Sequence, residues 1–293
     1  MRVIVAIPTT NRPSIVVPAV RDIARQSRLP DMVVVAVAGA GDIDPKAVSE
    51  LPFPVCIVES ERGATFQRNA ALAMLHPDDC MLFLDDDFIM AADFLANLER
   101  IIAGNPEVAM VTGTVLADGI KGPGLEYGYA LSLLPDQERP APDAGIREVY
   151  NCYGCNMALR ARPLVEHGIR FDTRLKLYSW LEDVDFSRQM AAHGRIVKAA
   201  ALRGVHLGTK TGRTSGLRFG YSQIANPLYL NAKGTMLRSR AFNMMFRNLS
   251  SNLVRSLYPE PGIDRVGRLK GNARAIADLL RGRLQPENVT KFE

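Results

Sequence analysis

Five short apolar runs, Val3–Ile7, Met32–Val37, Val55–Val58, Met81–Leu84 and Val108–Val115, punctuate the first part of the chain. Runs of this length without strict polar alternation read as strands covered on both faces, which is how parallel sheets are written. Between them, Ser14–Arg25, Ala64–Leu75 and Ala92–Ala103 space their apolar residues three and four apart, the pattern of helices with one buried face. Pro13 suits an early helical position and Pro106 a loop exit. This alternation predicts an α/β fold: a doubly wound, mostly parallel sheet with helices on both faces and ligands at the carboxyl ends of its strands.

The pattern then loosens. Asp118–Ile146, rich in Gly, Pro and acids, reads as a long excursion. Tyr150–Arg160 reads as a strand, Arg162–His167 as a short helix closed by Gly168, Glu182–Ala192 as a helix ended by Gly194, and Arg195–Ala199 as a strand. Gly208–Gly216 is a Gly/Thr loop with two cations, and helical stretches follow around Ser222–Arg255 and Ile263–Arg281. The expected organisation is an α/β body over 1–206 and a flexible loop with a basic helical extension over 207–293.

Charge divides the chain at the same place. From Leu207 onward there are 15 Lys and Arg against 5 Asp and Glu, while the whole chain carries a net charge of only +5. An acidic body with a basic tail fits an anionic partner, be it phosphate, a membrane surface or nucleic acid. Nucleic acid fits least, because the tail's cations lack an ordered aromatic platform. No apolar stretch reaches the length of a membrane span, and Arg2–Pro8 enters a strand without a secretory signal's basic and apolar regions, so a cytoplasmic protein is expected. Cys152 and Cys155 have the spacing of half a zinc site, but no second pair completes one, and packing is their expected role.

The chemistry concentrates at strand ends. The run ending at Leu84 leads into Asp85, Asp86 and Asp87. In an extended strand Asp85 and Asp87 share a face and Asp86 takes the other. Two converging carboxylates there suit a hard divalent cation, Mn²⁺ or Mg²⁺, carrying a phosphorylated substrate; a helix N-cap is the alternative use. The first strand ends in a polar loop, Pro8-Thr9-Thr10-Asn11-Arg12, able to cradle a nucleotide. Arg68 and Asn69 fall near the same edge, and Glu182, Asp183 and Asp185 open a later helix, where acids also suit the helix dipole.

Taken in order, Ile7–Arg12, Arg68-Asn69, Leu84–Asp87, Gly154–Met157, Phe171-Asp172 and Leu181–Phe186 resemble the motifs of the family-two inverting glycosyltransferases of the GT-A fold, bacterial-type and non-processive. The resemblance runs from Met1 to about His206 and does not cover the tail. It implies a nucleoside diphosphate sugar donor and a divalent metal that neutralises the leaving diphosphate. It further implies Asp87 as a metal contact, Asp85 and Asp86 towards ribose and donor sugar, and His206 as a further metal ligand. Asp183 becomes the base that deprotonates the acceptor hydroxyl, its proton affinity raised by Glu182 and Asp185. Glu182 and Trp180, the only tryptophan, fall on the acceptor side. Lys210 and Arg213 sit where a mobile loop can close on the pyrophosphate.

Two departures qualify the match. Family members commonly end the second strand in an acid that meets uracil; here Val35–Gly41 contains none and Asp42 follows in the loop, leaving uridine, thymidine and guanosine donors open. The Gln-x-x-Arg-Trp motif and membrane helices of processive members are absent from the sequence, which favours single additions. The acceptor expected is a saccharide or lipid-linked saccharide in cell-surface glycan assembly. The tail's mixture of apolar residues and arginines fits the inner membrane face, a second copy in a homo-oligomer, or the sheet itself. A sugar nucleotidyltransferase and a non-catalytic nucleotide-sugar-binding protein are the competing readings.

Overall fold

A computed structural model describes residues 1–120, 122–134, 145–210, 214–258, 260 and 262–292. Nine strands form one sheet: β1 (Val3–Pro8), β2 (Met32–Val37), β3 (Val55–Glu59), β4 (Cys80–Leu84), β5 (Phe88–Met90), β6 (Val108–Asp118), β7 (Ile146–Glu148), β8 (Asn156–Arg160) and β9 (Arg195–His206). Their spatial order is β3-β2-β1-β4-β8-β6-β9-β5, with β7 also paired to β9. The block β3-β2-β1-β4 is wholly parallel, whereas β8 runs antiparallel to both β4 and β6. The chain passes from β1 outward to β2 and β3, then returns to place β4 on the other side of β1, so the carboxyl ends of β1 and β4 flank a crevice.

The unalternating runs are buried on both faces as their composition requires. Val3, Val5 and Ile7 face a core shared with α1 (Pro13–Asp22), while Ile4 and Ala6 face the opposite one with α2 (Ala64–Leu72). On the first side α3 (Phe94–Gly104) adds Phe94, Leu98 and Ile101. A short α4 (Tyr127–Ser132) follows β6; on the second side α5 (Ala161–His167) and α6 (Glu182–Met190) bring in Leu164, Phe186 and Met190.

Three local expectations are corrected. Tyr150–Cys155 is loop, and only Asn156–Arg160 of the expected strand pairs into the sheet. The strand expected over Arg195–Ala199 continues to His206, because β5, β6 and β7 all supply it with partners. The helical stretch Ser222–Arg255 is two helices, α7 (Gly216–Lys233) and α8 (Arg238–Arg255), parted where Gly234 adopts a left-handed φ of 87°.

With α9 (Arg265–Leu280), α7 and α8 form a packed group rather than a loose tail. A Cβ on Gly220 would lie 2.1 Å from the Arg268 carbonyl oxygen, and one on Gly271 would lie 2.1 Å from that of Leu217, so α7 and α9 approach backbone to backbone. Buried amides close the same contact: Asn252 donates to Gln223 at 2.7 Å and to Asn272 at 3.0 Å. The group docks on the body through an apolar seam of Leu175, Leu181, Val184, Leu230 and Met236. Beside it, Lys233 bonds both Asp172 and Asp185 at 2.7 Å, and Thr235 donates to Asp185 at 2.6 Å. Gly271→Val, which overpacks the α7–α9 contact, is expected to destabilise the protein by about 1–3 kcal/mol in urea unfolding.

Candidate active site

Strand β4 ends at Leu84, and the three acids lie in the turn that follows, where the Phe88 amide donates to the Asp85 carbonyl at 3.1 Å. The turn, not strand alternation, separates the carboxylates, but the outcome matches the expectation. Asp85 Oδ2 and Asp87 Oδ1 lie 3.8 and 3.3 Å from His206 Nε2. Asp86 turns the other way and is buried, accepting from Thr9 Oγ1 and from Arg12 Nη1, each at 2.7 Å. The second Asp87 oxygen accepts from the Thr209 amide at 2.7 Å, with Arg12 Nη2 3.5 Å away.

Sheet register explains why His206 arrives there. On β9 it stands opposite Asp118 of the parallel neighbour β6 and Phe88 of the antiparallel neighbour β5. His206 Nδ1 meets Asp118 Oδ1 at 2.9 Å, and Tyr153 donates its hydroxyl to the other Asp118 oxygen at 2.9 Å. A ring whose Nδ1–H is committed to a carboxylate presents Nε2 as a ligand atom. One ligand atom each from Asp85, Asp87 and His206 lie within 4.8 Å of one another. Two carboxylates and one imidazole make an oxygen-rich donor set that fits a divalent cation of the Mn²⁺ or Mg²⁺ class.

The charges are arranged accordingly. Burial opposes charge on His206, yet Asp118, Asp87 and Asp85 raise its pKa to about 10. Burial also pushes Asp87 up, but the His206 ring, Arg12 and the Thr209 amide together hold it at about 2. For Asp86 burial wins over Arg12 and Thr9 and carries it to about 7. Buried Arg12 Nε and Nη2 have no hydrogen-bond partner of their own, leaving cationic donors beside the crevice.

The loop after β1 is fixed from below. Pro8 is the last residue of β1, Gln67 donates to the carbonyls of Thr9 and Ala36, and Asp42 accepts from the amides of Asn11, Ala38 and Gly39. Asp42 thus reaches the end of β2 from the loop and ties it to the first-strand loop. Asn69 faces away from the crevice: its amide exchanges two 2.9 Å bonds with the backbone of Phe171. Lys210 donates to the Gly119 and Ile120 carbonyls at 2.9 and 3.1 Å, pinning the chain after β9 to the end of β6. Arg213 lies outside the described residues.

Arg68 is buried, not a surface cation at the edge. It lies 3.3 Å from Asp85, 3.0 Å from Glu182 and 3.2 Å from the Gly154 carbonyl, between the rings of Phe83 and Phe171. Leu177, Ser179 and Leu181 hold left-handed φ values of 61°, 55° and 74° and swing the chain into α6 so that Glu182 and Asp183 face inward. Such φ values are costly for these residues and cluster at functional sites. Asp183 accepts from the Val184 amide at 2.8 Å and the Gly154 amide at 3.2 Å. Burial raises its pKa against those bonds and Arg68. Burial likewise takes Glu182 to about 8 despite Arg68. Asp185, in contrast, is fully buried and serves the docking of α7. Trp180 is half-buried beside Phe219 and lines a cleft against α8.

Sequence reading missed Asp118, Tyr153 and Gln67 as parts of this site. Asp118 carried a usable signal, an acid closing an apolar run, but only the register of β6 with β9 assigns it to His206.

Glu182 gives a pH signature. A folded-state pKa near 8 means that the native protein keeps a proton the unfolded chain has released, so stability declines as pH rises from the ordinary carboxylate range through about 8. Arg68→Met, removing the partner of a buried carboxylate, is expected to cost about 3–5 kcal/mol, with the larger loss at alkaline pH, in unfolding measured at pH 6 and pH 9.

Known proteins supply the remaining evidence. No curated protein sequence matches the chain. The fold is shared with S. aureus TarS 1-349 in complex with UDP-GlcNAc (TM-score 0.55, 17% identity, covering 97% of this chain and 93% of that one). It is also shared with the mannosyltransferase PcManGT from Pyrobaculum calidifontis in complex with GDP-Man and Mn²⁺ (TM-score 0.54, 17% identity, covering 99% and 85%). The sequence pattern described as glycosyl transferase family 2 matches residues 4–168, more than half of the chain, and takes in the β1 loop, Arg68, the acid turn, Asp118 and Gly154. The protein therefore belongs to glycosyl transferase family 2.

Proposed function

We propose that this glycosyltransferase moves one sugar from a nucleoside diphosphate sugar to a hydroxyl of a saccharide or lipid-linked saccharide, with inversion at the anomeric carbon. The observation that carries this reading is the half-buried Asp183, held by the Val184 and Gly154 amides beside Glu182, which Arg68 links to Asp85 of the Asp85–Asp87–His206 cluster. Asp85, Asp87 and His206 would hold Mn²⁺ or Mg²⁺, which neutralises the diphosphate as it leaves. Arg12, bonded to Asp86 and 3.5 Å from Asp87, keeps a positive charge beside the site where the donor's diphosphate would lie, and the Thr9 hydroxyl keeps Asp86 turned towards that loop. Asp183 accepts the proton of the acceptor hydroxyl as its oxygen attacks the anomeric carbon, and the bond to the diphosphate breaks with its electron pair on the phosphate oxygen. Water-poor surroundings that raise the pKa of Asp183 make it a better base than an exposed carboxylate. The TarS and PcManGT complexes, with UDP-GlcNAc and with GDP-Man and Mn²⁺, support a donor of this class.

A panel of UDP, GDP and dTDP sugars, with and without Mn²⁺, tests the reading. Metal-dependent thermal stabilisation by one nucleotide and release of nucleoside diphosphate are expected; release of inorganic pyrophosphate would instead make the protein a nucleotidyltransferase. Asp183→Asn is expected to keep the stabilisation and lower transfer by about 10²–10⁴-fold. Undiminished transfer would remove the base from the mechanism. The wild-type rate should fall with decreasing pH through a pKa above the usual aspartate range.

The acceptor side also favours a membrane surface. No helix among the described residues is long and apolar enough to cross a membrane. Helix α8, however, carries four arginines and no acid, and Phe242, Phe246, Leu253 and Leu257 stand exposed at helical spacing along it and the turn that follows. Phe246 is 71% exposed and Leu257 75%. Anionic lipid contributes about 1 kcal/mol per nearby cation, and the apolar row would enter the headgroup region. Phe246→Ser with Leu253→Ser is expected to abolish sedimentation with phosphatidylglycerol vesicles while leaving nucleotide stabilisation intact. Unchanged sedimentation would exclude this face, and a vesicle-independent doubling of mass would assign it to a second copy.

A further inference from the structure

A second feature of α8 bears on the acceptor. A cleft of about 390 Å³ opens between α8 and the start of α6, with Trp180 and Tyr150 as its aromatic walls. Val184, next in the chain to Asp183, lines it too, so the cleft lies against the helix that carries the proposed base. Its polar lining consists of cations and amides: Arg240 and Arg247, with Asn151, Asn243 and Asn248. Among the described residues no carboxylate lines it. Arg240, Asn243 and Arg247 recur at three and four residues and so share one face of α8, away from the apolar row of Phe242 and Phe246. The Arg240 guanidinium lies 4.0 Å from the centre of the Tyr150 ring, and Arg188 lies 4.7 Å from it. Stacking of this kind fixes the guanidinium plane and leaves its edge N–H groups to form paired bonds with a phosphate or carboxylate.

We infer that this cleft is the acceptor subsite and that it takes a saccharide bearing an anionic group, a phosphate or a carboxylate. Arg240 and Arg247 bind the anion, the amides take sugar hydroxyls, and the Trp180 and Tyr150 rings supply the apolar faces against which a pyranose packs. The inference rests on the transferase reading above, and it adds the charge of the acceptor. It assigns α8, outside the span of the family pattern, a role in choosing substrate.

Trp180 is the only tryptophan, so its emission reports on the cleft directly. The intact protein is titrated with the 6-phosphates of glucose, mannose and N-acetylglucosamine and with glucuronate, each against its neutral parent sugar, and with inorganic phosphate and glycerol 3-phosphate alone. A saturable change is expected with at least one anionic sugar, with the neutral sugar, phosphate and glycerol 3-phosphate about tenfold weaker or more. Arg240→Gln and Arg247→Gln should each weaken that binding about tenfold while nucleotide-dependent thermal stabilisation is unchanged. Equal binding of neutral and anionic sugars, no response to any anionic sugar, or full binding in both variants would overturn the inference. Free phosphate or glycerol 3-phosphate binding as tightly as the sugar phosphates would reduce the cleft to an anion or lipid-headgroup site and overturn it as well. Failure of every nucleotide to stabilise the protein would count against the transferase reading instead, since the emission titration needs no donor.

Discussion

The buried guanidinium of Arg68 is the contact on which the two halves of the site depend. It touches Asp85 in the acid turn and Glu182 at the head of α6, with Phe83 and Phe171 around it and the Gly154 carbonyl as a further anchor. A single cation placed between Asp85 and Glu182 allows the two acids to converge. Its position follows from α2, whose Gln67 clamps the ends of β1 and β2 and whose Asn69 clamps Phe171. Three consecutive residues of one helix therefore set the loop after β1, the ion pair and the loop leading to Asp183.

Charge balance around the metal candidates follows the same logic. His206 stands between Asp85, Asp87 and Asp118, the three acids that raise its pKa. Asp86 is met by Thr9 and Arg12, and Asp87 by His206, the Thr209 amide and, at 3.5 Å, the same Arg12, so Arg12 and His206 between them share the charge of the acid turn.

The parallel block and its helices were legible because strands buried on both faces and amphipathic helices leave opposite periodicities in the chain. Asp85–Asp87 stood out for a different reason, three charges closing an apolar run, whereas Asp183 was singled out by the family resemblance. What the sequence did not disclose is pairing between distant strands. Asp118 and His206 are 88 residues apart and meet only through β6–β9 register. Asn69 and Lys210 were named from polarity and position, but both are consumed by backbone carbonyls or amides, which no local pattern reveals. The break at Gly234 was not read from the sequence, because a single glycine inside a helical pattern does not by itself end a helix; its left-handed conformation parts α7 from α8.

Asp185 gives the docking of the extension a further meaning. It lies two residues from Asp183, on the same helix, and its buried carboxylate is neutralised from outside the family's span by Lys233 and Thr235. A chain ended near residue 206 would leave that charge stranded two residues from Asp183. The extension is thus a removable piece by sequence but not by electrostatics. Descendants of this chain are free to recombine its tail only with replacements that bring a cation to the same point.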